Sequence, residues 1–222
     1  NVWRADRPQK GRYREFYQCD ADVIGTDSLL CEVELVQLYD DVFSQLKIPN
    51  VDICINNRKV LSGMVNLMGA TDLFDDIVVT LDKLSVIGLE NVKKELIAKG
   101  VKSESLSILD TFLNTKTVSD LSSLLGKSEI GKKGLEELQF VIDNITKLGL
   151  QSANLVFDIT LARGLDYYTG CILEVRANDV QIGSIGGGGR YDDLTSNFGL
   201  EDISGVGISF GIDRIYLVME EL

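Results

Sequence analysis

The order of apolar and polar positions changes period several times along the chain. Over residues 15–23 it alternates: Tyr17, Cys19, Ala21 and Val23 form one face, and Phe16, Gln18, Asp20 and Asp22 the other. Period two predicts a half-buried strand, more typical of antiparallel than of parallel sheets. The second face carries one aromatic, one amide and two carboxylates, which suits either wet surface or the floor of a polar ligand site. From Ser28 to Lys47 the period becomes helical. Leu35, Leu38, Val42 and Leu46 share a stripe, and Asp27 stands in position to cap its start. Val51–Ile55 reads as a short strand, and Asn57–Met68 as a helix that Gly69 ends.

Residues 71–149 differ. Leu, Ile and Val recur at helical spacing in short segments, with breaks near Gly88, Gly100, Asn114 and Gly126. Gly134–Leu148 is the clearest helix, with Leu135, Leu138, Ile142 and Ile145 on one side. Alternation returns in Leu155, Phe157 and Ile159, then in Cys171, Leu173, Val175 and Ala177. A closing helix puts Ile212, Ile215, Met219 and Leu222 on one face. The expected fold is α+β: an antiparallel sheet flanked by helices. Its core is formed by 1–70 and 150–222, with 71–149 as a small all-α insertion.

Composition narrows the picture. The chain has 222 residues, 45% hydrophobic and 25% charged, an ordinary globular balance that excludes disorder and collagen-like repeats. No apolar run reaches the roughly 20 residues needed to span a bilayer, and no signal segment opens the chain, which does not begin with Met. A soluble, cytoplasmic protein or a fragment of one is expected. Histidine is absent, so triads that need it, and metal sites built on it, are excluded. Cys19, Cys31, Cys54 and Cys171 form no C-x-x-C pair, and four buried reduced thiols are expected. The net charge is −12, yet residues 1–14 hold Arg4, Arg7, Lys10, Arg12 and Arg14 against Asp6 alone. Such a focus suits nucleotide phosphates or a solvated basic loop equally.

The glycines do not spell a known phosphate loop. There is no G-x-x-x-x-G-K-[ST], and Gly205, Gly207 and Gly211 miss the dinucleotide spacing by one residue. The run Gly186-Gly187-Gly188-Gly189, between β-like segments, predicts close approach of backbone to a ligand or to another strand. Arg214 falls in the first turn of the last helix, where the helix dipole disfavours a cation. A carboxylate partner or an anionic ligand would explain it. Arg163, before Tyr167 and Tyr168, fits an ion pair with Asp158 or Asp166, or a phosphate or carboxylate contact.

Together these segments resemble a known family. Arg4-Ala5-Asp6-Arg7-Pro8-Gln9-Lys10-Gly11-Arg12-Tyr13-Arg14-Glu15-Phe16 resembles motif 2 of class II aminoacyl-tRNA synthetases, and its core is similar to histidyl-tRNA synthetases. Arg163-Gly164-Leu165-Asp166-Tyr167-Tyr168 and Gly188-Gly189-Arg190-Tyr191-Asp192 resemble that family's two histidine motifs. Gly207-Ile208-Ser209-Phe210-Gly211-Ile212-Asp213-Arg214 resembles motif 3. The helical segment lies where the family carries its insertion.

The resemblance implies activation of L-histidine with ATP, followed by transfer to tRNA(His), by a homodimer. Mg2+ would come with the nucleotide rather than through a protein metal site. It implies that Arg4 contacts the α-phosphate and that Arg163 lies on the other side as a fixed cation. Asp6 belongs to the ATP site, and Arg12 holds the outer phosphates. Phe16 and Arg214 would sandwich the adenine. Gln18 and Asp22 would bind the amino group, and Tyr168, Tyr191 and Tyr167 would line the imidazole side. Asp6 and Asp22 stand where many relatives have glutamate, one methylene longer. Motif 1 and the anticodon-binding domain are expected outside these residues, so a catalytic piece with weak or no activity of its own is implied. The alternative is a non-catalytic relative, such as the regulatory subunit of ATP phosphoribosyltransferase.

Overall fold

Residues 1–5, 7–162 and 167–222 are described by the computed structural model. Its strands are β1 (Val2–Trp3), β2 (Glu15–Phe16), β3 (Gln18–Ile24), β4 (Val51–Asn57), β5 (Asn154–Phe157), β6 (Cys171–Ala177), β7 (Ser184–Tyr191) and β8 (Gly205–Gly211). Strands β3 to β8 form one six-stranded sheet in the order β3-β8-β7-β6-β4-β5, while β1 and β2 pair as a separate antiparallel ribbon. The helices are α1 (Leu30–Gln45), α2 (Arg58–Leu67), α3 (Phe74–Leu81), α4 (Leu84–Ile87), α5 (Leu89–Ala98), α6 (Leu106–Asn114), α7 (Val118–Leu125), α8 (Glu129–Leu148) and α9 (Ile212–Glu221). The mixed α/β architecture with a helix-flanked sheet is therefore present. The chain divides into two compact units. One comprises Asn1–Ile55, Val141–Val156 and Leu173–Leu222; the other comprises Asn56–Phe140 and Phe157–Ile172.

In the first unit β8 is antiparallel to both β3 and β7. Asp22 stands opposite Gly207, which stands opposite Gly189; Ile24, Gly205 and Tyr191 line up in the same way. Residues paired across antiparallel strands share a face. One face therefore holds Cys19, Ala21, Val23, Val206, Ile208 and Phe210 with Gly186, Gly188 and Arg190. Helix α1 covers it: the Tyr39 ring lies 4.9 Å from that of Phe210, and Tyr39 OH donates to the Ser209 carbonyl at 3.0 Å. A Cβ on Gly186 would meet the Tyr39 ring at 2.8 Å, so this glycine makes room for the helix, whereas one on Gly188 would strike β8 at Ile208 Cα, 2.7 Å away.

Several local expectations are corrected. The strand expected over 15–23 is broken, because Tyr17 N–H leaves the ladder and donates to the Asp213 carboxylate at 2.7 Å. Phe16 thus belongs to the β1–β2 ribbon and not to the sheet. The buried stripe of α1 is Glu32, Leu35, Val36, Tyr39 and Phe43, whereas Leu38 and Leu46 are exposed, because the helix is turned to bring Tyr39 and Phe43 onto Phe210. Asp27 does not cap it; Leu29 is the N-cap, and Ser28 Oγ accepts from Leu30 N–H at 3.4 Å. In α9 the buried pair is Ile215 and Val218, not a stripe through Met219 and Leu222. Cys19 is exposed, since β3 is the sheet edge.

In the second unit α2 to α7 and the first half of α8 follow the helical periodicity, with Gly88 and Gly100 between segments as expected. Helix α2 ends at Leu67, and Gly69 turns the chain at φ +64°. Helix α8 starts five residues earlier than its apolar pattern suggested. Gly131 and Gly134 lie inside the helix where it meets α2. A Cβ on Gly134 would come within 2.6 Å of Val60 N, and one on Gly63 within 2.5 Å of Gly131 Cα. The small residues let two backbones touch, which outweighs their roughly 1 kcal/mol cost in a helix interior.

Candidate active site

The basic N-terminal segment is a hairpin. Register Val2↔Phe16 and Trp3↔Glu15 continues in Arg4 N–H donating to Arg14 C=O at 2.9 Å. Gln9 and Arg12 close the tip with reciprocal backbone bonds of 3.0 and 2.9 Å around Lys10-Gly11. Gly11 takes φ +68°, which a residue with a side chain resists. Arg4 and Phe16 meet on this hairpin: the guanidinium carbon lies 4.0 Å from the ring centroid. Such a contact at an exposed site is worth about 0.5–1 kcal/mol. Arg12 is exposed beside the tip.

Arg214 ties the hairpin to α9. Its Nε donates to the Gly11 carbonyl and its Nη1 to the Ser184 carbonyl, both at 2.6 Å. With Tyr17 N–H on Asp213, the hairpin is bonded to the first turn of the helix at two points. The two backbone carbonyls help to offset the cost of a cation at the helix start.

The uncovered face of the β3–β8–β7 strands is a polar edge beside a bare floor. Gln18, Asp20 and Asp22 project from β3, while β8 and β7 contribute Gly205, Gly207, Ser209, Gly211, Gly187 and Gly189 to the same face. A Cβ on Gly207 would lie 1.8 Å from Asp22 Oδ1, and one on Gly205 would lie 2.3 Å from the Tyr191 ring. These glycines let Asp22 and Tyr191 lie flat, and Tyr191 OH donates to Asp22 Oδ1 at 2.5 Å. Gln18 Nε2 bonds both Asp20 oxygens at 2.8 Å. Two carboxylates and an amide on an open floor can hold an ammonium or a ring N–H. Gln18, Asp22 and Tyr191 are thus brought to one face; Arg4 and Phe16 meet in the body of the hairpin, and Arg214 holds its tip.

In the second unit Tyr168 is buried against Tyr167, with ring centroids 4.6 Å apart and hydroxyls at 3.5 Å. Arg163 and Asp6 lie outside the described residues. Asn56, fully buried, holds the chain entering this region: its Nδ2 donates to the Leu161 carbonyl at 2.9 Å and the Ile159 carbonyl at 3.3 Å. Arg58 N–H holds the other end through the Gly170 carbonyl at 2.8 Å. Sequence reasoning passed over Asn56, although two adjacent amides closing an apolar strand were a visible signal.

It also passed over Glu32 and Arg190. Glu32 sits on the buried stripe of α1, fully inaccessible, and Arg190 is 3% exposed. The guanidinium makes a two-point contact with the carboxylate, Nε to Oε1 at 2.5 Å and Nη2 to Oε2 at 2.7 Å. A glutamate in the apolar register Glu32–Leu35–Val36–Tyr39 was the clue. Among the described residues no group of three or more Cys, Asp or Glu side chains could hold a metal ion, and no helix is long and apolar enough to cross a membrane.

Comparison with known proteins agrees with this architecture. The family model for histidyl-tRNA synthetase matches residues 1–215. A histidine–tRNA ligase of Flavobacterium johnsoniae is 59% identical over 227 positions, covering 100% of this chain and 48% of that protein. One from Christiangramia forsetii is 57% identical, covering 100% and 50%. The crystal structure of histidyl-tRNA synthetase from Nostoc sp. PCC 7120 matches with a TM-score of 0.84 at 32% identity, over 95% of this chain and 52% of that one. A Bacillus halodurans structure described as an ATP phosphoribosyltransferase regulatory subunit/histidyl-tRNA synthetase matches at 0.78 and 22% identity, over 100% and 56%, a likeness of fold alone. The chain spans about half the length of the curated relatives it matches. A family model covering nearly every residue, and relatives more than half identical across the whole chain, leave one assignment: this chain belongs to the histidyl-tRNA synthetase family.

Proposed function

We propose that this chain carries the adenylate-forming centre of a histidine–tRNA ligase. The carboxylate of L-histidine attacks the α-phosphorus of ATP, giving histidyl-adenylate and releasing pyrophosphate. The terminal ribose of tRNA(His) then takes the histidyl group and AMP leaves. The first nucleophile is already an anion, so no histidine of the protein is required. The work is alignment of two anions and offset of charge at phosphorus.

The observation that carries this reading is the polar face of Gln18, Asp22 and Tyr191 above its glycine floor, in the same unit as the Arg4–Phe16 hairpin held by Arg214. Gln18 and Asp22 bind the substrate's amino group, with Tyr191 bracing Asp22. Tyr168, with Tyr167, serves the imidazole. Phe16 and Arg214 flank the adenine, and Arg12 and Asp6 serve the ATP site. On ATP binding, Arg4 exchanges the Phe16 ring for the α-phosphate, opposite Arg163. Mg2+ arrives with ATP. Residues 1–70 and 150–222 act as the catalytic core and 71–149 as a helical insertion, in a cytoplasmic homodimer.

The test is histidine-dependent ATP–pyrophosphate exchange by the full-length protein, with and without Arg163→Ala. Exchange should occur, and the variant should lower kcat by roughly 10²–10³, the scale of a lost preorganised charge. Histidine affinity should weaken less. Equal losses in affinity and turnover would make Arg163 a binding residue only. Histidine binding without exchange would favour the regulatory reading.

A further inference from the structure

Arg190 and Tyr191 are neighbours on β7 and project to opposite faces of the sheet. Tyr191 reaches Asp22 on the open face. Arg190 reaches the covered face, and there all of its described contacts are structural. Beyond the two bonds to Glu32 of α1, Nη1 donates to the Thr26 carbonyl at 3.1 Å and Ser204 Oγ at 2.6 Å, and Nη2 to the Ser28 carbonyl at 3.1 Å. One guanidinium thus joins four segments: the β3–α1 connection, α1, β7 and the residue before β8. Ser204 Oγ donates onward to Asp192 at 2.6 Å. The segments so joined include the ends of the strands that bear Asp22, Gly205, Gly207 and Tyr191. Burial opposes the positive charge on Arg190, but the hydrogen bonds and charge of Glu32 outweigh it, so the group stays above its ordinary range and remains charged.

We propose that the buried Glu32–Arg190 pair is a positioning device for amino-acid selection. It holds the β3, β7 and β8 ends in register, and thereby sets the Tyr191–Asp22 pair over the glycine floor. The inference rests on the reading of Asp22 as a ligand of the substrate amino group. Glu32 and Arg190 face away from the open floor, so they act through Tyr191 and Asp22 and not on the substrate.

The experiment uses the full-length protein and pyrophosphate exchange, varying histidine and ATP separately. Glu32→Gln keeps the size of the side chain and removes the charge. It should raise KM for histidine roughly tenfold, the scale of one lost bond to a charged group, with KM for ATP and kcat within about twofold. In a Tyr191→Phe background the same change should add less than about twofold, because the element through which it acts is already gone. If Glu32→Gln melts below the assay temperature, Ser204→Ala carries the test; it removes the hydroxyl that accepts from Arg190 and donates to Asp192, and should raise KM for histidine about threefold. A parallel loss in both KM values and kcat, or full additivity with Tyr191→Phe, would reduce the pair to general stability and overturn the inference. Asp22→Asn separates the two levels. If it leaves KM for histidine unchanged, the reading of the open face fails and the inference falls with it. If it raises KM while Glu32→Gln does not, only the inference fails.

Discussion

Substituting Gly207 by alanine tests the bare floor directly. The new Cβ would lie 1.8 Å from Asp22 Oδ1 and 2.5 Å from Asp22 Cγ, where ordinary contact begins near 3.4 Å. The carboxylate has to retreat by about 1.6 Å, since the strand behind it is held on both sides by its ladders. That retreat breaks the 2.5 Å bond from Tyr191 OH. A hydrogen bond to a charged group is worth about 1.5–3 kcal/mol. Asp22 is exposed, so water recovers part of this in the folded protein. We expect a net stability loss of about 1 kcal/mol, or a Tm lower by roughly 2–4 °C. On the proposed role of Asp22 affinity has no such recovery, because the displaced carboxylate would no longer meet the substrate amino group. KM for histidine in pyrophosphate exchange should rise about 10- to 100-fold, with KM for ATP changed little. A folded Gly207→Ala protein whose KM for histidine is unaltered would refute both the role of Asp22 and the purpose assigned to the glycine.

Three further outcomes follow from the packing. Gly134→Ala should lower Tm by roughly 4–8 °C despite alanine's better helix propensity, because the Cβ at 2.6 Å from Val60 N forces α2 and α8 apart; a neutral or higher Tm would mean that the crossing is loose. Asp40, buried, accepts from the backbone N–H groups of Gln151, Ser152 and Ala153. Asp40→Ala should cost about 2–4 kcal/mol and speed amide exchange at 151–153, and unchanged exchange there would remove its anchoring role. Burial first, then Glu32 and Glu34, push the Cys31 thiol above its ordinary 9.0. Its contribution to stability is full below that pH and is lost as pH rises through the higher native value. Cys31→Ala should therefore flatten the alkaline limb of Tm against pH, which an unchanged limb would contradict.

Local periodicity was a sufficient guide where a segment's neighbours merely accept its apolar face. Val51–Ile55 and Asn57–Met68 were legible for that reason, within a residue or two of β4 and α2. It failed where the meaning of a residue is set by what lies across from it. Gly131 lies ahead of the helix its apolar pattern marked, yet stands inside α8 because α2 needs its missing side chain. Tyr17 belongs to an alternating pattern, yet Asp213, 196 residues away, takes its N–H and splits the strand. Glu32 carries no periodic signal of its own, and its partner Arg190 lies 158 residues away on β7.

The glycine run is the most instructive case. Four in a row announced close approach, but only strand register separates the two causes. Gly186 and Gly188 point to the α1 side, where Gly186 yields to Tyr39, and Gly187 and Gly189 point to the open floor. Residues of the open face could be named from the alternation of Gln18, Asp20 and Asp22, because side-chain direction in a strand is a local property. What holds that face in place could not be named. The staples are Arg190 across four segments and Arg214 on two carbonyls, and each joins residues whose separation in sequence carries no periodic signal. A site of this type is therefore readable in its contacts and unreadable in its supports, and the supports are where substitutions distant from the substrate should reveal themselves as changes in histidine KM.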